Sequence, residues 1–419
     1  MKRKAISIVL TLALLLSAAA MLAVPAAAAG TKTVTSAADS GTGTLRAVLN
    51  SAVTGDVIEF QSNIGVITLK SELIVPSTVN SLTIDGKGKV TLRRNANDSN
   101  RFRLLNFVGR NPLTLRGLSF ENGASAGASP GEFASYGGGV LAMAASLVLL
   151  ENCSFTGNVS DLGGGIAANQ LRAVNCTFTR NTGHFFGGGM GATEAVIENC
   201  SFSENSGAFG AALVTELAAV INSSFYNNQL SAVTEKVDGL NPRNDGSAVY
   251  ASENIFFYHS TVGKNKTPHD VFVGTDDDEV GYFANSIIGG TLIVGGTRIT
   301  SVNSLIELDQ NRVFGKNASG TNGTLPPLAT YLDAKIPALK SASVPAFKST
   351  ALKLTQADVL QAVKQDQRGT ARGTTTCTAG AVESFASSDF SLSFLERLLE
   401  SLRQFFQSIW DRISGLFSL

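Results

Sequence analysis

The stretch NCSFTGNVSDLGGGI beginning at Asn152 returns as NCTFTRNTGHFFGGGM from Asn175 and again, weaker, as NCSFSENSGAFGAAL from Asn199. Aligned on phenylalanine, the copies give Phe155, Phe178 and Phe202, with Phe225 of NSSFYNN as a fourth, so the steps are 23, 24 and 23 residues. Each copy carries Asn three before the Phe (Asn152, Asn175, Asn199, Asn222) and three after it (Asn158, Asn181, Asn205, Asn228), followed by a Gly-rich patch. A period in the low twenties, built of short apolar runs between turn residues, specifies a solenoid whose repeat is one coil of β-structure. Helical repeats need about 33 residues or more, and a leucine-rich repeat needs a Leu skeleton this chain lacks.

Parity along a strand places the side chains. Cys153 and Phe155 differ by two and share a face, as do Cys176 with Phe178 and Cys200 with Phe202. The other constant apolar position, Leu150, Ala173, Ile197 and Val220, has the opposite parity, so the chain must bend between them at the intervening Asn. Asn tolerates the left-handed conformation of a corner, and its amide can bond to its own copy one coil away, about 4.8 Å along the stack. Both Asn rows are therefore expected at corners. The Cys row is open to three readings, namely buried thiols, a disulfide or a metal, and Ser223 in the fourth copy favours a small buried filler. The Asn-Cys-Ser/Thr sequons follow from the repeat itself.

The frame extends to Phe120 upstream and Val262 downstream, at steps of 35 and 37 residues. Each of these holds one coil plus about a dozen inserted residues, and insertions in a solenoid emerge as loops on one side. The loops Asn122 to Tyr136 and Leu230 to Asp245 are where a binding surface is expected.

Thr44 can cap a short helix whose Leu45, Val48 and Leu49 form one apolar face, laid over the open N-terminal end of the coil. Before it, MKRK, a mostly apolar run to Val24 and the small residues around Ala28 and Ala29 form a secretory leader, with an uncleaved anchor as the alternative. Lys+Arg and Asp+Glu are both 33, so no global field draws the chain to nucleic acid.

Several segments also carry a resemblance: VTSAADSGTGTLRAVLNSAVTGDVIEF, LTIDGKG, LTLRGLSFENG, the NCSFTGN…GGGI repeats, ANSIIGG at Ala284 and the closing DQRGTARGTTTCTAGAVES. Together they resemble the bacterial choice-of-anchor Q proteins over most of residues 31 to 384, and the repeat resembles the polymorphic outer membrane protein repeat with its GGAI and FxxN signatures. The resemblance implies a secreted or surface protein of all-β class, a single-stranded right-handed parallel β-helix like that of pectin lyase, with no assigned chemistry. The stretch from Leu325 to Asp366 departs from that family's pattern, and neither an LPxTG motif nor a terminal apolar span follows, so attachment by those routes is not expected.

The tail has a different grammar. Leu395, Leu398, Leu402, Phe405, Ile409, Ile413 and Leu416 step by three or four, and Ser393 with Glu396 makes a capping box, so an amphipathic helix is expected. It can pack on the rod, self-associate, or lie on a membrane surface. The expected organisation is a signal peptide over 1–29, the β-helix domain over 30–384 and the amphipathic C-terminal helix over 385–419.

Chemistry is sparse. The acidic run Asp276-Asp277-Asp278-Glu279 lacks the alternate spacing of a calcium loop. His184, His259 and His269 share no short metal spacing, and His184 beside Phe185 and Phe186 reads as a loop-surface group. Glu151 and Glu198 occupy one column, but Val174 interrupts it. No catalytic, cofactor-binding or metal-binding residue is assigned, and no cofactor is expected. The functional expectation is a non-catalytic scaffold binding extracellular glycan or a surface protein; a polysaccharide lyase or glycoside hydrolase, or a structural protein self-associating through its C-terminal helix, are the alternatives.

Overall fold

The computed structural model describes residues 28–125, 136–232, 241, 243, 246–274, 280–293, 298–302, 304–308, 335–337, 352, 354–367, 370–372 and 376–378. The leader before residue 28, the acidic run 276–279 and the tail 385–419 lie outside the described residues, as does most of both inserted loops. Within the described residues the chain winds as a right-handed parallel β-helix, and every pairing in its 23-stranded sheet is parallel.

Each coil has three faces. Face A holds Val148–Glu151 and the second halves of Ile166–Val174, Met190–Glu198 and Leu213–Ile221. Face B holds Ser154–Thr156, Thr177–Thr179, Ser201–Ser203 and Ser224–Tyr226. Face C holds Val140–Ala142 and the first halves of the same three long strands.

The phenylalanines form one interior file. Phe120, Phe155, Phe178, Phe202 and Phe225 are all fully buried, with successive ring centroids 4.9, 4.9, 4.6 and 4.6 Å apart and planes within 11° of parallel. In-register pairing of Phe120, Phe155, Phe178, Phe202 and Phe225 produces that file, because identical residues at identical register stack at the strand spacing.

The corner between faces A and B is made by the first Asn row. Asn152, Asn175, Asn199 and Asn222 have φ between 48° and 55°, the left-handed region expected of them. The residue that follows each Asn closes the corner. Cys200 Sγ donates to Glu198 O at 3.2 Å and Ser223 Oγ to Ile221 O at 2.8 Å, while Cys200 N donates to Ser223 Oγ at 3.0 Å. Ser260 and Ser286 continue the row in the same way. Ser can therefore replace Cys because both bond the corner, not only because both are small. Cys153, Cys176 and Cys200 are free, buried thiols, and the contact with Cys176, then burial, push Cys153 well above its ordinary value.

The second Asn row differs from expectation. The left-handed residue at the corner between faces B and C is the one before it, namely Gly157, Arg180, Glu204 or Asn227. The following Asn158, Asn181, Asn205 and Asn228 turn fully inward. Asn158 Nδ2 donates to Phe120 O and to Asn181 Oδ1, both at 2.9 Å, and Asn158 N donates to the same Oδ1 at 3.0 Å. The pattern repeats from Asn181 to Asn205, Asn228 and Asn265. Both amide hydrogens are thus used at each step, and that satisfaction is what makes a buried polar row tolerable.

The ends are treated differently. Helix Leu45–Asn50 starts at Thr44, whose hydroxyl accepts from Ala47 N at 3.3 Å, and buries Leu45 and Leu49 on the first coils. Near the C-terminus, helix Gln356–Ala362 is capped by a Thr355–Asp358 box and lies on the outside of face A. Leu352, Leu354, Val359 and Val363 pack there against Val196, Ala219, Ile221, Phe256, Tyr258 and Tyr282. Asn222 Nδ2 donates to Ala362 O at 2.7 Å and Gln365 O at 2.8 Å, and Gln367 Nε2 donates to Cys200 O at 2.8 Å. The described residues between 352 and 372 therefore form a strap across four coils, and Gln367 of the DQRG segment is one of its fastenings.

Candidate functional site

Between the B–C corner and face C the chain makes an extra short strand in three consecutive coils: Val159–Leu162, Thr182–Phe186 and Ser206–Phe209. They pair in parallel as a separate three-stranded sheet, a ledge beside the main one. Each ends at a glycine with positive φ, Gly163, Gly187 or Gly210, which turns the chain onto face C.

Both insertions are tied to this ledge. Ala124 and Tyr136, at the two ends of the first loop, bridge to Val159 and Leu162, and Ser125 N donates to Val159 O at 2.8 Å. At the start of the second loop, Gln229 bridges to Ser206, Ser231 N donates to Gly207 O, and Ser231 Oγ donates to His184 O at 2.6 Å.

The middle strand carries a bulge. Ser160 pairs with Gly183 but Leu162 pairs with Phe186, so one extra residue sits at His184–Phe185. This is the origin of the 24-residue step between two steps of 23. A bulge re-aims side chains, and such irregularities gather at functional sites. Here His184 Nδ1 lies 3.0 Å from Asp161 Oδ1 on the neighbouring strand. Paired with a carboxylate that accepts, Nδ1 would carry the proton and leave Nε2 to act.

The pair is asymmetric in burial: the His184 side chain is 38% exposed and that of Asp161 5%. Asp161 Oδ2 is buried and has no hydrogen-bond partner among the described residues, a condition that costs about 1–3 kcal/mol in an ordinary interior. Phe185 and Phe186 beside the pair are half-buried. Phe186 stacks on Phe209 at 5.7 Å, Phe209 meets Tyr250 edge-on at 6.0 Å, and Tyr250 stacks on Phe272 at 4.5 Å along the outside of face C. His184 is thus not the loop-surface group read from sequence; it is a strand residue held by a buried acid. The signal available in the sequence was the odd 24-residue step.

The other sequence candidates separate from this site. His259 is buried at a corner with φ 48°, in the position of an Asn, and its Nε2 lies 3.0 Å from Asn285 Nδ2. His269 begins strand His269–Val273, away from the pair. Glu151 and Glu198 are engaged by Arg116 at 2.7 Å and Arg172 at 3.2 Å. Glu216 feels two other acids from neighbouring coils: burial, then Glu253 and Glu194, raise its carboxyl. These acids do not form one column, since Glu194 pairs with Leu217. Among the described residues no three His, Cys, Asp or Glu side chains are grouped closely enough to hold a metal ion, and no helix there is long and apolar enough to cross a membrane.

No curated protein matches the sequence. Residues 59–230, which contain the Phe file, most of both Asn rows and the whole ledge, match the family model described as a right handed beta helix region, in agreement with the right-handed β-helix fold of the described residues.

Proposed function

We propose that the protein is a secreted or cell-surface, non-catalytic β-helix scaffold that binds glycan through the ledge. One observation carries this reading: both inserted loops are tied to the small sheet that bears His184, Asp161 and the partly exposed Phe185 and Phe186. Aromatic faces receive the apolar face of a sugar ring, while the imidazole bonds its hydroxyls. The leader-like N-terminus and the resemblance to choice-of-anchor Q proteins support an extracellular setting.

A glycan array with residues 30–419 tests it. Retention of a defined glycan class is expected, and His184→Ala or Phe186→Ala should weaken the best binder by about tenfold, the loss of one good contact. An array with no retained glycan, or binding indifferent to both variants, overturns the reading.

The Asp-oriented imidazole favours a second reading, a polysaccharide lyase or glycoside hydrolase in which His184 Nε2 accepts a proton. Incubation with pectin, alginate and glycosaminoglycans, followed for unsaturated or reducing ends, separates the two. Product that disappears in His184→Ala would establish catalysis.

A further inference from the structure

A different surface lies at the N-terminal end of the rod. Charge is segregated along the chain: residues 30–120 carry eleven Lys and Arg against six Asp and Glu, whereas residues 121–308 carry seven against eighteen. Burial sharpens the contrast. Lys70, Lys89, Arg93, Arg101 and Arg110 are exposed and take part in no ion pair among the described residues, while Lys87 and Arg116, also exposed, meet Glu59 and Glu151. The six acids of residues 30–120 are buried or half-buried, and each is engaged, as Asp39 is by Arg46 and Glu72 by Arg103. No acid there faces solvent fully.

The same end carries exposed apolar groups. Of the four large hydrophobic side chains that are exposed among the described residues, three are here: Val66, Ile74 and Val108, at 46%, 55% and 40%. Strands Val66–Leu69 and Leu73–Ile74 each pair on one side only, with Leu82–Arg94 and with Leu105–Asn106, so they are the outermost strands of faces B and C. Lys70 stands between them. Arg93 lies opposite Thr68 and its Nε donates to Thr68 Oγ1 at 3.1 Å, which inclines the guanidinium toward this end. Val108 follows Asn106, the register partner of Ile74. Cations and aliphatic side chains thus alternate around one edge of the first two coils.

We infer that this end of the rod docks on a lipid bilayer bearing anionic headgroups. Lys70, Arg93 and Arg101 meet the headgroups, and Val66, Ile74 and Val108 enter the boundary between headgroups and acyl chains, the division of labour that holds peripheral proteins on membranes. A soluble polyanion would use the cations and leave the aliphatic side chains in water. The acidic excess of the later coils is repelled by the same surface, so the rod is oriented with its first coils down and the ledge away from the bilayer. The surface stands apart from the ledge and does not depend on the reading given to it.

Co-sedimentation of residues 30–419 at low salt with vesicles tests the inference, using phosphatidylcholine alone and phosphatidylcholine mixed equally with phosphatidylglycerol. Binding to the mixed vesicles is expected to be at least about tenfold tighter and to weaken with added salt. The triple variant Lys70→Gln, Arg93→Gln, Arg101→Gln should lose about a hundredfold, near fivefold for each charge removed from the surface. The pair Ile74→Ser, Val108→Ser should weaken vesicle binding by about tenfold and leave any binding to double-stranded DNA unchanged. All five positions are exposed, so the thermal midpoints should hold, and His184→Ala should bind vesicles as the parent does. Equal binding to phosphatidylcholine alone would overturn the inference. So would full binding by the triple variant, which would assign the contact to residues 385–419 or elsewhere, or indifference to the aliphatic pair, which would mark a site for soluble polyanions.

Discussion

The outside of face A is built in two ways along one rod. On the earlier coils it is polar: Arg116 reaches Glu151 and Arg172 reaches Glu198, each across one coil step. On the later coils the same columns hold Val196, Ala219, Ile221, Phe256, Tyr258 and Tyr282, and the strap at 352–372 covers them. The inside barely changes between the halves, since the aromatic and aliphatic files run through both. The interior thus sets the coil, while the exterior decides where the chain may fold back on itself.

The sharpest way to break this comparison is to attack what both halves share. Phe178→Ala removes a fully buried ring from the middle of the file, where the stacked rings above and below are held in place by strand register and cannot collapse into the gap. A loss of about 3–5 kcal/mol is expected, with some addition for the two stacking contacts. Urea unfolding with hydrogen exchange should show protection lost on both sides of the substitution. Loss confined to one coil would mean that the coils are independent and the two halves share nothing.

That shared interior was the legible part of the sequence. Phe155, Phe178, Phe202 and Phe225 announce themselves because in-register neighbours must be alike. The inward parity of Cys and the left-handed first Asn row follow from local geometry alone. The second Asn row shows the limit: its spacing is as regular, but the corner conformation falls one residue earlier and the Asn is used for its buried ladder. Spacing locates a corner and does not say which residue bends.

The strap was not legible, because Asn222 meets Ala362 and Gln365 across some 140 residues with no periodic signal between them. Its trace lay elsewhere, in LAAVI at 217–221 and IFFY at 255–258, where apolar residues fail to alternate because both sides of the strand are covered. The Asp161–His184 pair was hidden for a related reason. The two residues are neighbours only across coils, and one extra residue brings them together.

A second, smaller perturbation should loosen the strapped half alone. Burial raises the Tyr282 hydroxyl to about 12, and burial with Tyr282 nearby raises Tyr258 further. A phenol raised in the folded state binds its proton where the unfolded chain, near pH 10, has already released it. Its stabilising contribution is therefore complete below about pH 10 and is lost as pH rises through the folded values. Alkaline titration followed by tyrosine absorbance and by hydrogen exchange should show exchange rising first at 352–372 and the outer residues of 256–284, with the coils before residue 175 still protected. Simultaneous loss everywhere would remove the distinction between the halves.

The smallest effect belongs to the polar half. Arg116 and Glu151 meet at 2.7 Å, directly opposite across one coil step, but their side chains are 46% and 40% exposed. At that exposure water screens the pair and the ordering of two long side chains offsets much of its attraction, leaving roughly 0–1 kcal/mol. Arg116→Ala should shift the urea midpoint only within that range, and 1 M salt should shrink the difference further. A loss of more than about 2 kcal/mol would sit outside what an exposed pair can supply. It would place the early outer columns in the same category as the strapped ones, as a surface the fold needs rather than one it leaves to solvent.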